Sequence, residues 1–234
     1  MQESSPRYAL YFTPQPATSL AQFGASVFGY DLYTGESVMR RVLDGIAATV
    51  LEAATVAPRK YGFHATLVAP FYLNDKHTEE DLLEALDMFC EKASPASLGS
   101  LRVSALGNFI ALTPDEAPII SELAGQCVTF FDVFRAPLGA DDMARRSNDR
   151  LTPRQQVHLA RWGYPYVFDD FCFHMTLTGS LAASEKSGFL AALTDAFAPL
   201  AGHSYNVDAV SLLRQADSRS CFIVMERKDL QGRG

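Results

Sequence analysis

Phe63-His64-Ala65-Thr66-Leu67 is written a second time as Phe173-His174-Met175-Thr176-Leu177, in a chain with only five histidines. Composition alone would give a histidine these flanks roughly once in a few thousand trials, so the pair calls for a physical reason. Both phrases lie in runs of apolar, aromatic and β-branched residues, 61–71 and 171–181, which predict strands. Side chains alternate across a strand, so Phe63, Ala65 and Leu67 share the core face while His64 and Thr66 point the other way. In the second run Phe173, Met175 and Leu177 oppose Cys172, His174, Thr176 and Thr178. Each phrase thus presents an imidazole beside a hydroxyl.

The repetition extends outward. After His64 come a turn at Asn74-Asp75, a helix over 78–92 capped by Thr78 with Asp81, and strands over 98–106 and 108–113. Leu82, Leu83, Leu86 and Phe89 form the apolar stripe of that helix. After His174 the order recurs: a helix over 184–197, then strands over 205–213 and 221–226. The last strand begins about 45 residues past His64 and about 48 past His174, as expected of an internal duplication. Short returns favour antiparallel pairing. The reading is an α+β chain with a duplicated two-lobed fold, in which two mainly antiparallel sheets face a central cleft and the helices lie outside. It predicts one bilobal domain over 1–234, with lobe one at about 14–135 and lobe two at about 136–234. The 7–13 strand is left to complete the opposite lobe, and Thr13-Pro14 with Pro16 turns the chain into a helix over 19–28.

Length and a 48% hydrophobic composition suffice for a full core. No apolar run approaches the roughly 18 residues of a membrane span, and Met1-Gln2-Glu3-Ser4-Ser5 lacks a signal-like segment, which makes the cytoplasm the default location. Cys90, Cys127, Cys172 and Cys221 form no Cys-x-x-Cys pair, so neither a zinc site nor a disulfide framework is indicated. Cys172 shares the face of His174, as a filler of the cleft wall or as a reactive thiol. A net charge of -7 disfavours bulk nucleic acid as a partner and leaves a small phosphorylated or nucleotide-like substrate, held by local cations. Lys60 either flanks that phosphate or is a solvated strand-end charge. Asp141-Asp142, Arg145-Arg146 and Asn148-Asp149-Arg150 read as a solvated segment, and Thr152-Pro153 as a helix start. The aromatic turn Trp162-Gly163-Tyr164-Pro165-Tyr166 stacks a base or sugar at the cleft mouth or forms a satellite apolar cluster.

Histidine, with an ordinary pKa of about 6.5, exchanges protons near neutrality. Two facing imidazoles divide the work of base and acid, and two threonine hydroxyls suit the non-bridging oxygens of a phosphodiester. No His-x-His, acidic cluster or Gly-x-Ser-x-Gly elbow accompanies the motifs, so no metal and no cofactor are called for. Tyr11, Tyr61 and Arg135 are further pocket candidates, each with a structural alternative. The function that follows is metal-independent opening or hydrolysis of a small phosphodiester. Its rival is a non-catalytic module that binds a nucleotide or phosphometabolite in the same cleft.

The paired phrases resemble the signature of the 2H phosphoesterase superfamily, whose members carry two His-x-Thr/Ser-apolar motifs on a duplicated αβ fold. Arg7-Tyr8-Ala9-Leu10-Tyr11-Phe12, Tyr61-Gly62-Phe63-His64, Phe134-Arg135-Ala136-Pro137 and Trp162-Gly163-Tyr164-Pro165-Tyr166 are similar to its DUF1045 branch, which is often encoded beside phosphonate-degradation genes. The resemblance implies His64 and His174 as the catalytic pair, Thr66 and Thr176 as phosphate-binding hydroxyls, and a substrate such as a 2',3'- or 1,2-cyclic ribose phosphate. In that branch an arginine is common where this chain has Cys172 and a lysine where it has Val68, so the second motif here has fewer cations around it.

Overall fold

The computed structural model of the chain describes residues 5–115, 118–147 and 151–233. Strand β1 (Arg7–Phe12) is buried along nearly its whole length, as befits a strand with neighbours on both edges. It pairs antiparallel with β2 (Ala65–Tyr72) and with β8 (Ala209–Gln215), and β9 (Phe222–Asp229) completes a four-stranded sheet in the order β2-β1-β8-β9. A second antiparallel sheet has the order β4 (Leu101–Leu106), β5 (Phe109–Pro114), β6 (Met175–Thr176). A two-stranded ladder pairs β3 (Ala96–Gly99) with β7 (Tyr205–Val207). Since β3 runs through Ser100 into β4, and β7 through Asp208 into β8, this ladder ties the two sheets together.

Helix α1 (Ser19–Phe28) starts where Thr18 accepts the amide of Ala21. Helix α3 (Glu79–Lys92) carries the expected capping box, with Thr78 Oγ1 accepting from Asp81 N at 3.2 Å and Asp81 Oδ2 from Thr78 N at 2.7 Å. It packs on β8 and β9, while α7 (Ala183–Phe197) packs on β4 and β5. The duplication is therefore visible in element order: β2-α3-β3-β4-β5 in the first half and β6-α7-β7-β8-β9 in the second.

The sheets do not follow the two halves of the sequence. The hairpin after the first motif pairs with the second motif strand, and the hairpin after the second joins β1 and, through it, the first motif strand. One continuous apolar cluster, from Leu10, Leu67 and Leu212 to Leu112, Met175 and Leu193, underlies both sheets. With a shared core, neither half has to pair its own strands to bury its apolar face.

The run 171–181 is also less regular than its composition suggests, since only Met175–Thr176 is strand. A 3-10 turn at Phe168–Asp170 precedes it, and Leu177 and Thr178 both donate their amides to the Ile110 carbonyl while the Thr178 hydroxyl accepts from Ile110 N. Thr178 is consequently fully buried rather than on the face of His174. Two helices that the periodicity did not reveal are α2 (Ala48–Arg59) and α4 (Pro118–Phe131). The first is rich in β-branched residues and carries Pro58, and the second is apolar on most sides, so neither shows a clean helical stripe.

The segment without a counterpart folds as α5 (Ala140–Arg146) and α6 (Pro153–Trp162), the latter capped by Thr152 with Gln155. Its first part is not solvated as expected: Asp142 is 4% exposed and Arg146 turns inward. Asn148-Asp149-Arg150, Met1 to Ser4 and the side chains of Asp141 and Arg145 lie outside the described residues. No helix among the described residues is long and apolar enough to cross a membrane.

Candidate active site

At the end of α2 the chain passes through Gly62, whose φ of 69° lies in the left-handed region, and His64 follows directly before β2. That bend aims the Gly62 carbonyl back at the imidazole, where it accepts from His64 Nδ1 at 2.9 Å. The proton is thereby fixed on Nδ1, and the bare Nε2 meets the Thr66 hydroxyl at 3.2 Å. Tyr11, paired with Thr66 across β1 and β2, stacks on the His64 ring with centroids 3.8 Å apart. In the second motif His174 Nδ1 donates to the Cys172 carbonyl, again two residues upstream and again at 2.9 Å. Both imidazoles thus leave Nε2 as the group available for chemistry.

Around them open two adjoining compartments. One, of about 370 Å³, is lined by His64, Thr66, Thr176, Tyr11 and Tyr61 together with Arg7, Arg146 and Tyr164. The other, of about 390 Å³, is lined by His174, Cys172, Phe109 and Tyr166. Thr66 and Tyr164 belong to both walls, which makes one cleft of the two spaces. His174 is close enough to disfavour the charged form of His64.

Burial pushes His64 down to about 4, with His174 adding to the effect and the Gly62 carbonyl opposing it. Burial also lowers His174, against the pull of the Cys172 carbonyl. Both rings are therefore neutral near pH 7. The Tyr11 phenol is driven far above its ordinary range, first by burial and then by Tyr61 and Tyr164. Tyr164 is pushed up to about 12 by burial, with Tyr166 contributing. These phenols stay protonated near neutrality.

Of the residues expected from sequence, His64, His174, Thr66, Thr176, Tyr11, Tyr61 and Cys172 do line the cleft. Lys60 and Arg135 line neither compartment. Lys60 extends its ammonium to the Ser218 carbonyl. Arg135 forks onto Asp132 Oδ1 at 3.0 and 2.8 Å and donates to the Arg161 carbonyl, so its guanidinium is consumed in holding the 3-10 turn Asp132–Phe134 that follows α4 to α6. Within the aromatic turn the roles divide: Tyr164 and Tyr166 face the cleft, whereas Trp162 packs edge-on against Phe168.

Two cations were missed. Arg7 lies two residues from Ala9 and four from Tyr11, so alternation along β1 does place it on Tyr11's face. Arg146 has no such signal, because only the folding of α5 against β2 brings its guanidinium to the Pro70 and Gly163 carbonyls, each at 2.6 Å. Among the described residues no group of three or more His, Cys, Asp or Glu side chains is placed to hold a metal ion.

The architecture is that of a duplicated α+β protein whose two motifs each bring one histidine and one threonine to a shared cleft. The family described as a protein of unknown function, DUF1045, matches residues 66–223, and the chain belongs to it. That span includes Thr66, His174 and Thr176 and begins just after His64. A relative from Janthinobacterium sp. (strain Marseille), called ribose 1,5-bisphosphate phosphokinase PhnN, is 37% identical over 238 residues, covering 99% of this chain and 52% of the relative. One of the same name from Laribacter hongkongensis (strain HLHK9) is 31% identical over 186 residues, 79% of this chain and 43% of its own. The chain thus spans about half the length of the curated relatives it matches. Among solved structures it is similar to TT0787 of Thermus thermophilus (15% identity, 97% of this chain and 100% of that one, TM-score 0.45). It is also similar to Kluyveromyces marxianus Usb1 with uridine monophosphate (9% identity, 95% and 99%, TM-score 0.33).

Proposed function

We propose that this cleft opens a small cyclic phosphodiester by acid-base catalysis shared between His64 and His174, without a metal ion, as a phosphoesterase of the 2H type. The observation that carries the reading is the repeated tie of Nδ1 to the carbonyl two residues upstream, at the same 2.9 Å in both motifs. A histidine that merely fills a core has no reason to be oriented twice in this way, with Nε2 toward one cavity.

In the proposed reaction Nε2 of one imidazole takes a proton from water as the water oxygen bonds to phosphorus. The bond from phosphorus to one sugar oxygen breaks, and the other imidazole, entering protonated, gives its proton to that oxygen. The product is an acyclic phosphomonoester with a freed hydroxyl. Thr66 and Thr176 donate to the non-bridging oxygens. His64, held neutral more firmly, is the base, and His174 is protonated as the anionic substrate arrives.

The relatives' name supports a ribosyl phosphate as the substrate class. It names a kinase, yet this chain contains no G-x-x-x-x-G-K-[ST] cradle for a nucleotide, and it accounts for only about half of those proteins. We assign it the companion step, release of a ribose phosphate from its cyclic ester; a setting in phosphonate breakdown is consistent with this. The test is turnover of a panel of ribosyl and nucleoside cyclic phosphates in the presence of a chelator. Cleavage of a cyclic ribose phosphate is expected. Equal affinity for cyclic and opened compounds, with no turnover of any, would make the cleft a binding module instead.

A further inference from the structure

We infer that Arg7 and Arg146 form a second anion subsite in the His64 compartment, one that takes a terminal phosphomonoester carried by the same substrate as the cyclic diester. The inference rests on the phosphodiester reading and extends it to a doubly phosphorylated sugar.

A cyclic diester has a single negative charge, and the Thr66 and Thr176 hydroxyls can serve its two free oxygens. Two guanidiniums on the same wall exceed that need. They are also near enough to oppose each other's charge, since Arg7 disfavours protonation of Arg146. In a chain of net charge -7, gathering like cations in a hollow is costly unless an anion neutralises them. Asp142, on the same wall, offsets part of the Arg146 charge, so the pair keeps a net single positive charge toward a bound phosphate.

The two side chains are held for recognition. Arg146 is fixed by its bonds to the Gly163 and Pro70 carbonyls. Arg7 is anchored through Nε to Gln215 Oε1 at 2.7 Å, Gln215 is itself fully buried, and among the described residues neither terminal amino group of Arg7 has a hydrogen-bond partner. Tyr61 and Tyr164 line the same wall with their phenol rings. A compartment of about 370 Å³ suits a ribose with two phosphates and is small for anything much larger.

The experiment compares two cyclic ribosyl phosphodiesters that differ only in a phosphate on the far hydroxymethyl carbon. The wild-type protein is expected to favour the phosphorylated one by about 100-fold in kcat/KM, mostly through KM. Arg7→Gln should shrink that ratio by about tenfold or more, and Arg7→Lys should keep part of it. A wild-type ratio near one, or a ratio that survives Arg7→Gln, overturns the subsite. Calorimetry with ribose 5-phosphate separates this idea from the catalytic one. Binding that weakens in Arg7→Gln supports the subsite even if no cyclic ester turns over, whereas turnover without such binding removes the subsite and leaves the catalysis. Inorganic phosphate bound as tightly as ribose 5-phosphate would mean a site for the free ion and would also overturn the proposal.

Discussion

The two motifs anchor their imidazoles by the same bond, yet surround them differently. His64 is backed by the stacked ring of Tyr11, follows a left-handed glycine and reaches Thr66 through Nε2. His174 has a tilted Phe109 ring 5.6 Å away and an exposed cysteine as its carbonyl partner. Both rings are half-buried, but His64 is backed by an aromatic ring whereas His174 has an exposed neighbour in Cys172. The contrast teaches that the repeat preserved what aims each imidazole and let the packing around it diverge. In the proposed reaction the ring that burial lowers further, His64, suits a neutral base, and His174 suits an acid that gains its proton with the substrate.

The largest effects test that division. His64→Ala and His174→Ala should each lower kcat on a cyclic ribose phosphate by about 100-fold to 10,000-fold, and the double variant should fall little further, because the two act as a unit. A nitrophenyl phosphodiester, whose leaving group needs no proton, breaks the symmetry. Steady-state rates on it should recover most of the activity of His174→Ala and little of that of His64→Ala. The opposite pattern exchanges the base and the acid, and equal losses on both substrates remove the acid role altogether.

Next in size is the backbone that aims each ring. A Cβ at Gly62 would lie 2.3 Å from Leu32 Cδ1, on a residue whose φ of 69° already disfavours a side chain. Gly62→Ala is expected to cost about 1–3 kcal/mol in denaturant unfolding and to lower kcat as the carbonyl that orients His64 shifts. The equivalent position, Cys172, is not among the positive-φ residues, so alanine there meets no such strain. Equal destabilisation at both positions would show that the two halves are supported alike.

These contrasts mark what a linear reading can reach. The polar face of each motif was legible because alternation puts His64 with Thr66 and His174 with Thr176 whatever the strand pairs with. The order of elements was legible because each half repeats it. Which sheet each hairpin joins was not, since both sheets rest on one core and either pairing buries the same apolar faces. Arg146 was hidden for a related reason: Asp-Asp and Arg-Arg pairs in a polar stretch look solvated, and only the contact of α5 with the Pro70 and Gly163 carbonyls turns one arginine inward. Arg135 erred the other way, because its motif-like neighbourhood says nothing of Asp132, whose carboxylate captures it within a single turn.

The pH dependence sharpens the same comparison. With His64 lowered to about 4 and His174 lowered less, NMR titration should find the His64 ring still neutral at a pH where His174 has begun to charge. Since kcat/KM reports the free enzyme, its maximum should fall on the acid side of the ordinary histidine value, about 6.5, between the two groups. Stability carries the matching sign. An unfolded His64 takes up its proton near 6.5, before the folded one does, so its contribution is full above that pH and declines as pH falls toward about 4. Removing His64 should flatten that decline more than removing His174.

The smallest effect is expected where the second half-site is most open. Cys172 contributes its backbone carbonyl to His174, and its thiol is exposed at the compartment wall. Cys172→Ala keeps the carbonyl and should change unfolding free energy by no more than about 0.5 kcal/mol, with kcat nearly intact. A bulky thiol reagent, by contrast, should hinder substrate by filling the compartment, and that inhibition should vanish in Cys172→Ala. If alanine alone abolished turnover, the sulfur itself would have to touch the reacting atoms, and the division of labour between two imidazoles would need a third member.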